Sequence, residues 1–380
     1  MQKSLMIASF SKSASDPRVM RQVEVLRDRY AVDVAGYGSA PEGIRRFYPI
    51  PRHLHVWEKL LDCVAKMLGF RGIALRNRKN TCLIRSLQAQ PYDLVIANDL
   101  ETLPAVFAGR GAAPVLLDAH EYSPRQFEDR FLWRLLFQRE QRFIAGHYLQ
   151  GLAGAFTVCG GIAEEYRREY GMESRVVTNA APYHDLQPVP VEEGRIRLVH
   201  PGTANPSRKL EGMIEIFRHL DDRFTLDFYL MPNHPNYLAH LKKRAKKTSG
   251  RIRFRNPVEN RELIPELNAY DIGIFLLPPV NFNYAHALPN KFFQFVQARL
   301  AVAIGPSLEM APLAAQHGFG VIADSFDPWD MAVKLNQLTA EDIRRLKHCA
   351  HQSAAELADN HNRTRIEETV KKLMSPEEVG

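Results

Sequence analysis

The stretch His286-Ala-Leu-Pro-Asn-Lys-Phe-Phe-Gln-Phe-Val-Gln-Ala-Arg-Leu-Ala-Val-Ala-Ile-Gly305 reads as loop, helix and strand. Pro289 can occupy the first helical turn, where its missing N–H costs nothing. Phe292, Phe293 and Val296 then recur at helical spacing, with Lys291, Gln294 and Arg299 elsewhere on the helix. Residues 300–304 are a short apolar run of strand type. A helix N-terminus carries partial positive charge and unpaired N–H groups, so it favours a phosphate, and Lys291 in the first turn adds a full charge. Gln294 lies one turn on, on the same face, and can bond a ribose hydroxyl. Upstream, Phe282, Asn283, Tyr284 and His286 form a polar-aromatic loop able to hold a sugar. A pyrophosphate flanked by two polar ends describes a nucleotide sugar. Taken alone, the segment reads equally well as an ordinary helix capping an α/β sheet, with Lys291 solvated.

The run Pro289-Asn290-Lys291-Phe292 resembles the start of the helix under the donor diphosphate in the second domain of GT-B glycosyltransferases, family 4-like (glycosyl transferases group 1). The resemblance extends over nearly the whole chain, tightly in the second half and loosely in the first. It implies an α/β protein of GT-B type, two Rossmann-like domains facing a central cleft. Residues 1–185 would be the N-terminal acceptor-side domain, 186–194 a linker and 195–350 the C-terminal domain that binds nucleotide sugar. Residues 351–380 would form a C-terminal helix packing back on the N-terminal domain.

Composition agrees with two soluble domains, each large enough for a core. Cys63, Cys82, Cys159 and Cys349 show neither CxxC pairing nor metal spacing, which reads as free thiols in a reducing cytosol. No run of 18 apolar residues exists, so no membrane span is expected, and the N-terminus lacks a signal-peptide pattern. The phosphate fingerprint G-x-G-x-x-G is absent, which argues against a nicotinamide or flavin enzyme.

Residues 5–10 are a buried-strand pattern, followed by a polar loop in which Asp16 can cap a helix opened by Pro17. That helix runs through Val19, Val23 and Leu26 to a second strand at residues 32–35. Strand, helix, strand at this spacing is a βαβ unit and therefore a parallel sheet. Residues 45–85 hold ten Lys or Arg against Glu58 and Asp62, an excess larger than the net +7 of the whole chain. Within this stretch Trp57, Leu60, Leu61, Val64, Met67 and Leu68 recur at helical spacing, with Lys59, Lys66, Arg71, Arg76, Arg78 and Lys79 around them. A basic amphipathic helix with an aromatic end suits an anionic membrane surface. A core-packing helix with a solvated basic face is the other reading, and no nucleic-acid signature accompanies the charge.

Asn98-Asp99 follows a strand at residues 92–97, at the end where open α/β sheets place ligands. The next strand, residues 114–117, ends in Asp118-Ala-His120-Glu121, two carboxylates and an imidazole that otherwise would order a loop. The resemblance makes His120 the histidine that contacts the donor sugar. It makes Lys12, Asp16 and Arg18 acceptor-side candidates, and their place at the strand end adds Asn98 and Asp99. Residues 126–150 read as one long helix.

In the second half, residues 196–200 are a strand, followed by Gly202-Thr-Ala-Asn-Pro-Ser-Arg208-Lys209 and a helix over 211–219. Gly202 lets a ligand approach the backbone closely. The resemblance assigns Gly202 and Lys209 to the donor phosphate, with Lys291 converging from the second loop. The arginine the family often places directly after that glycine is Thr203 here, and Arg208 is the candidate substitute. Asn256 and Val258 match a loop whose backbone reads the base, and His286, Asn290 and Gln294 complete the donor-binding set. Family 4 members usually carry two glutamates separated by seven residues, whereas the matching positions here are His286 and Gln294.

The expectation is transfer of a sugar from a nucleotide sugar to a hydroxyl of a saccharide or lipid-linked acceptor, in polysaccharide or glycolipid synthesis. Lys and Arg do the neutralising, so neither metal nor cofactor is expected. Retention is the expected outcome. An inverting transfer needs a base, with Asp118 or Glu121 as candidates. A GT-B-fold sugar 2-epimerase and a non-catalytic partner protein are the other classes. The expected partners are the nucleotide sugar, the acceptor and an anionic membrane surface met by residues 45–85, without nucleic acid. The expected location is cytoplasmic, peripheral on the inner face of the membrane.

Overall fold

The computed structural model describes residues 2–53, 55, 58 and 77–375. The apolar residues of the basic stretch, Trp57 to Leu68, and Lys59, Lys66, Arg71 and Arg76 lie outside the described residues. The chain forms two compact units. The first comprises Met1–Thr178, Asn281–Asn283 and His361–Gly380, the second Asn179–Val280 and Tyr284–Asn360.

The first unit is built on a seven-stranded sheet in the order β3-β2-β1-β4-β5-β6-β7. The strands are β1 (Ser4–Lys12), β2 (Ala31–Tyr37), β3 (Arg46–Pro49), β4 (Leu94–Asn98), β5 (Val115–Ala119), β6 (Gly154–Thr157) and β7 (Arg175–Val176). Every pairing is parallel, and Leu5 of β1 lies between Val32 and Leu94. The continuous apolar character of β1, β4 and β5 follows, because both faces of a parallel sheet are covered. The Pro17–Leu26 helix starts as its sequence dictates. Asp16 caps it by accepting from the Arg18 N–H at 2.9 Å, and Val19, Val23 and Leu26 are buried against the sheet. The C-terminal helix Asn360–Met374 contributes Ile366, Val370 and Met374 to the same core.

The single helix expected over residues 126–150 is two, Phe131–Leu136 and Gln138–Tyr148. Arg130 is extended, with φ −103° and ψ 117°, so helical structure starts only after it. The preceding Glu128 carboxylate is held by Arg125 Nε at 2.7 Å and by the Phe282 N–H at 2.9 Å, which fixes this segment as a loop.

The second unit has a six-stranded parallel sheet in the order β10-β9-β8-β11-β12-β13. Its strands are β8 (Ile196–Thr203), β9 (Phe224–Met231), β10 (Ile252–Arg255), β11 (Ile272–Phe275), β12 (Ala301–Ile304) and β13 (Gly320–Ile322). The Asn290–Gln297 helix begins one residue later than the sequence indicated, with Pro289 extended at its N-cap. Phe295 of this helix stacks directly on Gly273 of β11, where a Cβ would lie 2.3 Å from the ring. The helix expected over 211–219 is α-helical only at Glu211–Glu215 and tightens to a 3-10 turn at Ile216–Arg218.

Both strand orders reverse direction once, between β1 and β4 and between β8 and β11. Such switch points open a crevice outside the C-terminal ends of the strands. The loops after β1, β4 and β8 at these two points carry Asp16, Asp99 and Arg208.

Candidate functional site

In the second unit, β8 ends in His200-Pro201-Gly202-Thr203 and β11 in Phe275. His200 is fully buried, and its Nδ1 lies 2.7 Å from the Ile274 carbonyl oxygen. A carbonyl only accepts, so Nδ1 carries the proton and Nε2 presents a lone pair. Burial, and then the neighbouring Lys291, push the His200 pKa well below its ordinary value, which keeps the ring neutral.

Lys291 uses that lone pair. Its Nζ is 3.2 Å from His200 Nε2 and 4.1 Å from the centroid of the Phe275 ring. The residue is only 6% exposed. Among the described residues no carboxylate lies within ion-pair distance of it. Burial, and then Arg208, drive the Lys291 pKa well below that of a free lysine. An amine is thus held between an imidazole and a ring face beside the Arg208 guanidinium, and a bound anion favours its charged form. Such a site is poised for an anion.

Gly202 marks where the anion fits. Its φ of +152° falls in a region that side chains disfavour. A Cβ there would lie 2.9 Å from Lys291 Nζ and 3.3 Å from Arg208 Nη1. Only a bare backbone leaves this space. The 3-10 turn Pro206–Arg208 carries Arg208 inward, and Asn205 caps that turn by accepting from the Ser207 N–H at 3.1 Å. Ser207 is in turn 2.6 Å from the Tyr284 hydroxyl. Lys209 ends the turn with a left-handed backbone, φ 50°, and is exposed. At Gly202 it is Arg208 that meets Lys291, while Lys209 is exposed.

The remaining donor-side candidates are spread more widely. Gln294 follows Lys291 by three residues on the same face, half-buried, and Asn290 opens the helix. His286 Nδ1 is 2.9 Å from Glu309 Oε1, both mostly buried. A carboxylate thus stands next to the position where the resembling family has glutamate, delivered from a different loop. Asn256 is exposed and Val258 half-buried, just past β10.

In the first unit, a cavity of about 240 Å³ opens at the ends of β1, β4 and β5. Arg18, Asp99, Glu101, His120, Glu121, Ser123, Gln126 and Gln141 line it. Arg18 grips Asp99 with both nitrogens, at 2.9 and 3.0 Å, and Asp16 at 3.3 Å. Burial opposes the Arg18 charge, but Asp99 and Asp16 outweigh it and raise the pKa. Asp99 itself has φ 66°, a strained conformation for a residue with a side chain, held by the Thr102 hydroxyl on its carbonyl at 2.8 Å. Glu121 accepts from Gln126 Nε2 at 2.6 Å. His120, Glu121, Arg18 and Asp99 thus meet in one place, and Lys12 is exposed at the end of β1.

Asp118 and Asn98 do not line this cavity. Both are buried beneath it, where Gln22 Nε2 donates to Asp118 Oδ2 at 2.8 Å and to Asn98 Oδ1 at 3.0 Å. Burial raises the Asp118 pKa, against the pull of Arg18 and Arg21. Of the two carboxylates proposed as a base, Glu121 is the one that reaches the cavity. Among the described residues no group of three His, Cys, Asp or Glu side chains is placed to hold a metal ion.

Sequence reading missed His200, Glu309, Gln126 and Gln141. A histidine ending a buried strand two residues before Gly202 was the available signal for His200. Glu309 and Gln141 come into place through parts of the chain distant from them, and Gln126 through Glu121 five residues before it.

No protein-family model matches the sequence, and no curated protein matches it. Solved structures do. Sucrose-phosphate synthase of Thermosynechococcus elongatus superposes with a TM-score of 0.73 at 10% identity, over 99% of this chain and 100% of that one. HepE of Anabaena, in complex with UDP and glucose, gives 0.69 at 14% identity, over 97% and 99%. WaaG, a glycosyltransferase involved in lipopolysaccharide biosynthesis, gives 0.67 at 12% identity, over 99% and 100%. The chain has the GT-B fold, in which each unit is a Rossmann-like domain.

Proposed function

We propose that this protein is a glycosyltransferase that moves a sugar from a nucleotide sugar to a hydroxyl acceptor. The observation that carries the reading is the meeting of the Gly202 backbone, Arg208 and Lys291 at the β8/β11 switch point. The diphosphate of the donor lies against Gly202, between the guanidinium and the ammonium. As the glycosidic bond breaks, negative charge builds on the leaving nucleoside diphosphate, and two prepositioned cations stabilise it. His200 fixes the Lys291 ammonium without cancelling its charge, because it is neutral. Gln294 holds the ribose and the loop of Asn256 and Val258 the base. His286, paired with Glu309, faces the transferred sugar.

The acceptor enters the cavity of the first unit, whose acids, amides and guanidinium match sugar hydroxyls. Transfer with retention needs no protein base, since the leaving phosphate takes the acceptor proton. Inversion has a base at hand in Glu121, which lines that cavity with His120. The neighbours bound to UDP or acting in lipopolysaccharide biosynthesis support a uridine nucleotide donor and a role in polysaccharide or glycolipid assembly at the cytoplasmic face of a membrane. Among the described residues no helix is long and apolar enough to cross a membrane, and peripheral attachment is part of the proposal.

The test is acceptor-dependent release of nucleoside diphosphate from a panel of nucleotide sugars. A donor whose turnover requires an added saccharide or lipid-linked acceptor supports the proposal. The anomeric configuration of the product by NMR then decides between retention and inversion. Donor binding without transfer to any acceptor class would favour a non-catalytic protein.

A further inference from the structure

The Phe131–Leu136 helix buries none of its residues. Phe131, Leu132 and Leu135 are 68%, 66% and 54% exposed, and Phe137 follows them at the surface. Leu135 lies four residues from Phe131 and three from Leu132, so the three share one face. A single exposed leucine needs no explanation, but a contiguous apolar face does. So short a helix has little stability of its own. It keeps its shape by packing at its base, where Trp133 meets Phe127 edge to face at 6.1 Å.

The charges around this face have one sign. Arg130, Arg134, Arg139 and Arg142 are all exposed, against Glu140 alone within residues 130–142. The Arg134 guanidinium lies 5.9 Å over the Phe131 ring and that of Arg130 5.0 Å over Phe127. The two carboxylates just before the helix face the other way: Glu128 takes the Phe282 N–H and Asp129 the Asn281 side chain. Apolar side chains at the tip with guanidiniums around their base match the layering of an anionic bilayer surface. The side chains enter the acyl boundary and the arginines reach headgroup phosphates. In the described part of the basic stretch at residues 45–85, two adjacent cations are engaged by other side chains, whereas Arg134 donates to a backbone carbonyl oxygen, that of Glu128. Lys79 is paired with Glu101 at 3.2 Å and sits over Phe10, and Arg78 meets His55.

We propose that the Phe131–Leu136 helix, with its ring of arginines, docks this protein on an anionic lipid surface. The next helix, Gln138–Tyr148, carries Gln141 into the cavity that holds Arg18, His120 and Glu121. Docking therefore sets that cavity one helix away from the headgroups, within reach of an acceptor hydroxyl borne by a lipid. This last step rests on the glycosyltransferase reading, whereas the docking itself does not.

The experiment is co-sedimentation of the full chain with phosphatidylcholine vesicles, with and without phosphatidylglycerol. The parent is compared with the triple variant Phe131→Ser, Leu132→Ser, Leu135→Ser, with Arg134→Glu/Arg139→Glu and with Arg78→Glu/Lys79→Glu. The parent is expected to bind the anionic vesicles, less at high salt. The first two variants should lose at least tenfold in affinity, and the third should stay within twofold of the parent. The side chains substituted in the triple variant are exposed, so its melting temperature should match the parent's; Arg134 also donates to the Glu128 carbonyl oxygen at 2.6 Å, so the charge-reversal variant is assayed well below its own melting temperature. A parent that ignores anionic vesicles, or a triple variant that binds as well as the parent, overturns the proposal. So does a parent dimer that the triple variant converts to monomer, because a second copy would then cover the face. A nucleotide-induced thermal shift on the same samples reports on the donor site separately. Its absence alongside intact vesicle binding would count against the function proposed above and not against the docking.

Discussion

Replacing Lys291 by methionine should raise the stability of the free protein while removing its response to nucleotide. Lys291 Nζ and Arg208 Nη1 both lie close to the Cβ position of Gly202, at 2.9 and 3.3 Å, which bounds their separation at about 6.2 Å. At an effective dielectric constant of about 20, two cations at that distance repel by about 2–3 kcal/mol. Desolvation of a buried ion adds several kcal/mol to what the fold tolerates. Against this stand the ring contact with Phe275, about 0.5–2 kcal/mol, and the unmade acceptor on His200, about 1–3 kcal/mol. With each of these at the middle of its range, the balance favours methionine by more than about 1 kcal/mol. For a domain of this size that is an increase of roughly 2–4 °C in melting temperature. The parent, with nucleotide at 100 times its dissociation constant, gains about 2.7 kcal/mol, and the variant should gain nothing measurable. Differential scanning fluorimetry with and without nucleoside diphosphate reads both effects in one plate. A variant that melts lower than the parent yet keeps its nucleotide shift would make Lys291 a structural residue and not a ligand of the diphosphate.

Three further outcomes follow from named contacts. Gly202→Ala places a methyl group 2.9 Å from Lys291 Nζ at a φ of +152°. Nucleotide affinity by calorimetry should fall at least tenfold, or about 1.4 kcal/mol, with little loss of fold. Gly273→Ala drives a Cβ into the buried Phe295 ring, 2.3 Å from its nearest atom. Overpacking of this kind costs about 1–3 kcal/mol or more, read as a lower urea midpoint. Asp118→Asn keeps the hydrogen bond from Gln22 and removes a carboxylate whose pKa burial has raised. A group with a raised folded-state pKa contributes stability that is complete below its unfolded value of 3.8 and lost as pH rises through the folded value. The variant should therefore match or exceed the parent in stability at neutral pH, with the gap closing as pH falls toward 4. A variant less stable at neutral pH would contradict this placement of Asp118.

Much of the architecture was legible because it is local. The Asp16 cap, Pro17 and the spacing of Val19, Val23 and Leu26 define the first helix, and apolar runs such as residues 5–8 and 272–276 can only be covered strands. β3 was not legible. It is an edge strand, Arg46-Phe-Tyr-Pro49, whose composition reads as part of a basic stretch. The split of residues 126–150 was hidden because the Glu128 contact with Phe282, which fixes the loop before Phe131, joins distant parts of the chain. In the site, Gly202 and Lys291 stood out by residue type and element end, and the structure brings them together. Choosing between Arg208 and Lys209 required the backbone, because a left-handed residue at 209 exchanges which side chain turns inward. His200 and Glu309 were invisible for a different reason. A histidine bonded to the carbonyl of a neighbouring strand, and a glutamate that meets a loop 23 residues earlier, acquire their roles only from pairing.

If the Gly202, Arg208 and Lys291 cluster binds the diphosphate of a nucleotide sugar, isothermal titration of UDP, GDP, dTDP and ADP into the parent and into Lys291→Met will separate the two proteins. At least one nucleotide should bind the parent at a single site and fail to bind the variant. A parent that binds none of them, or a variant that binds the same nucleotide with unchanged affinity, would contradict it.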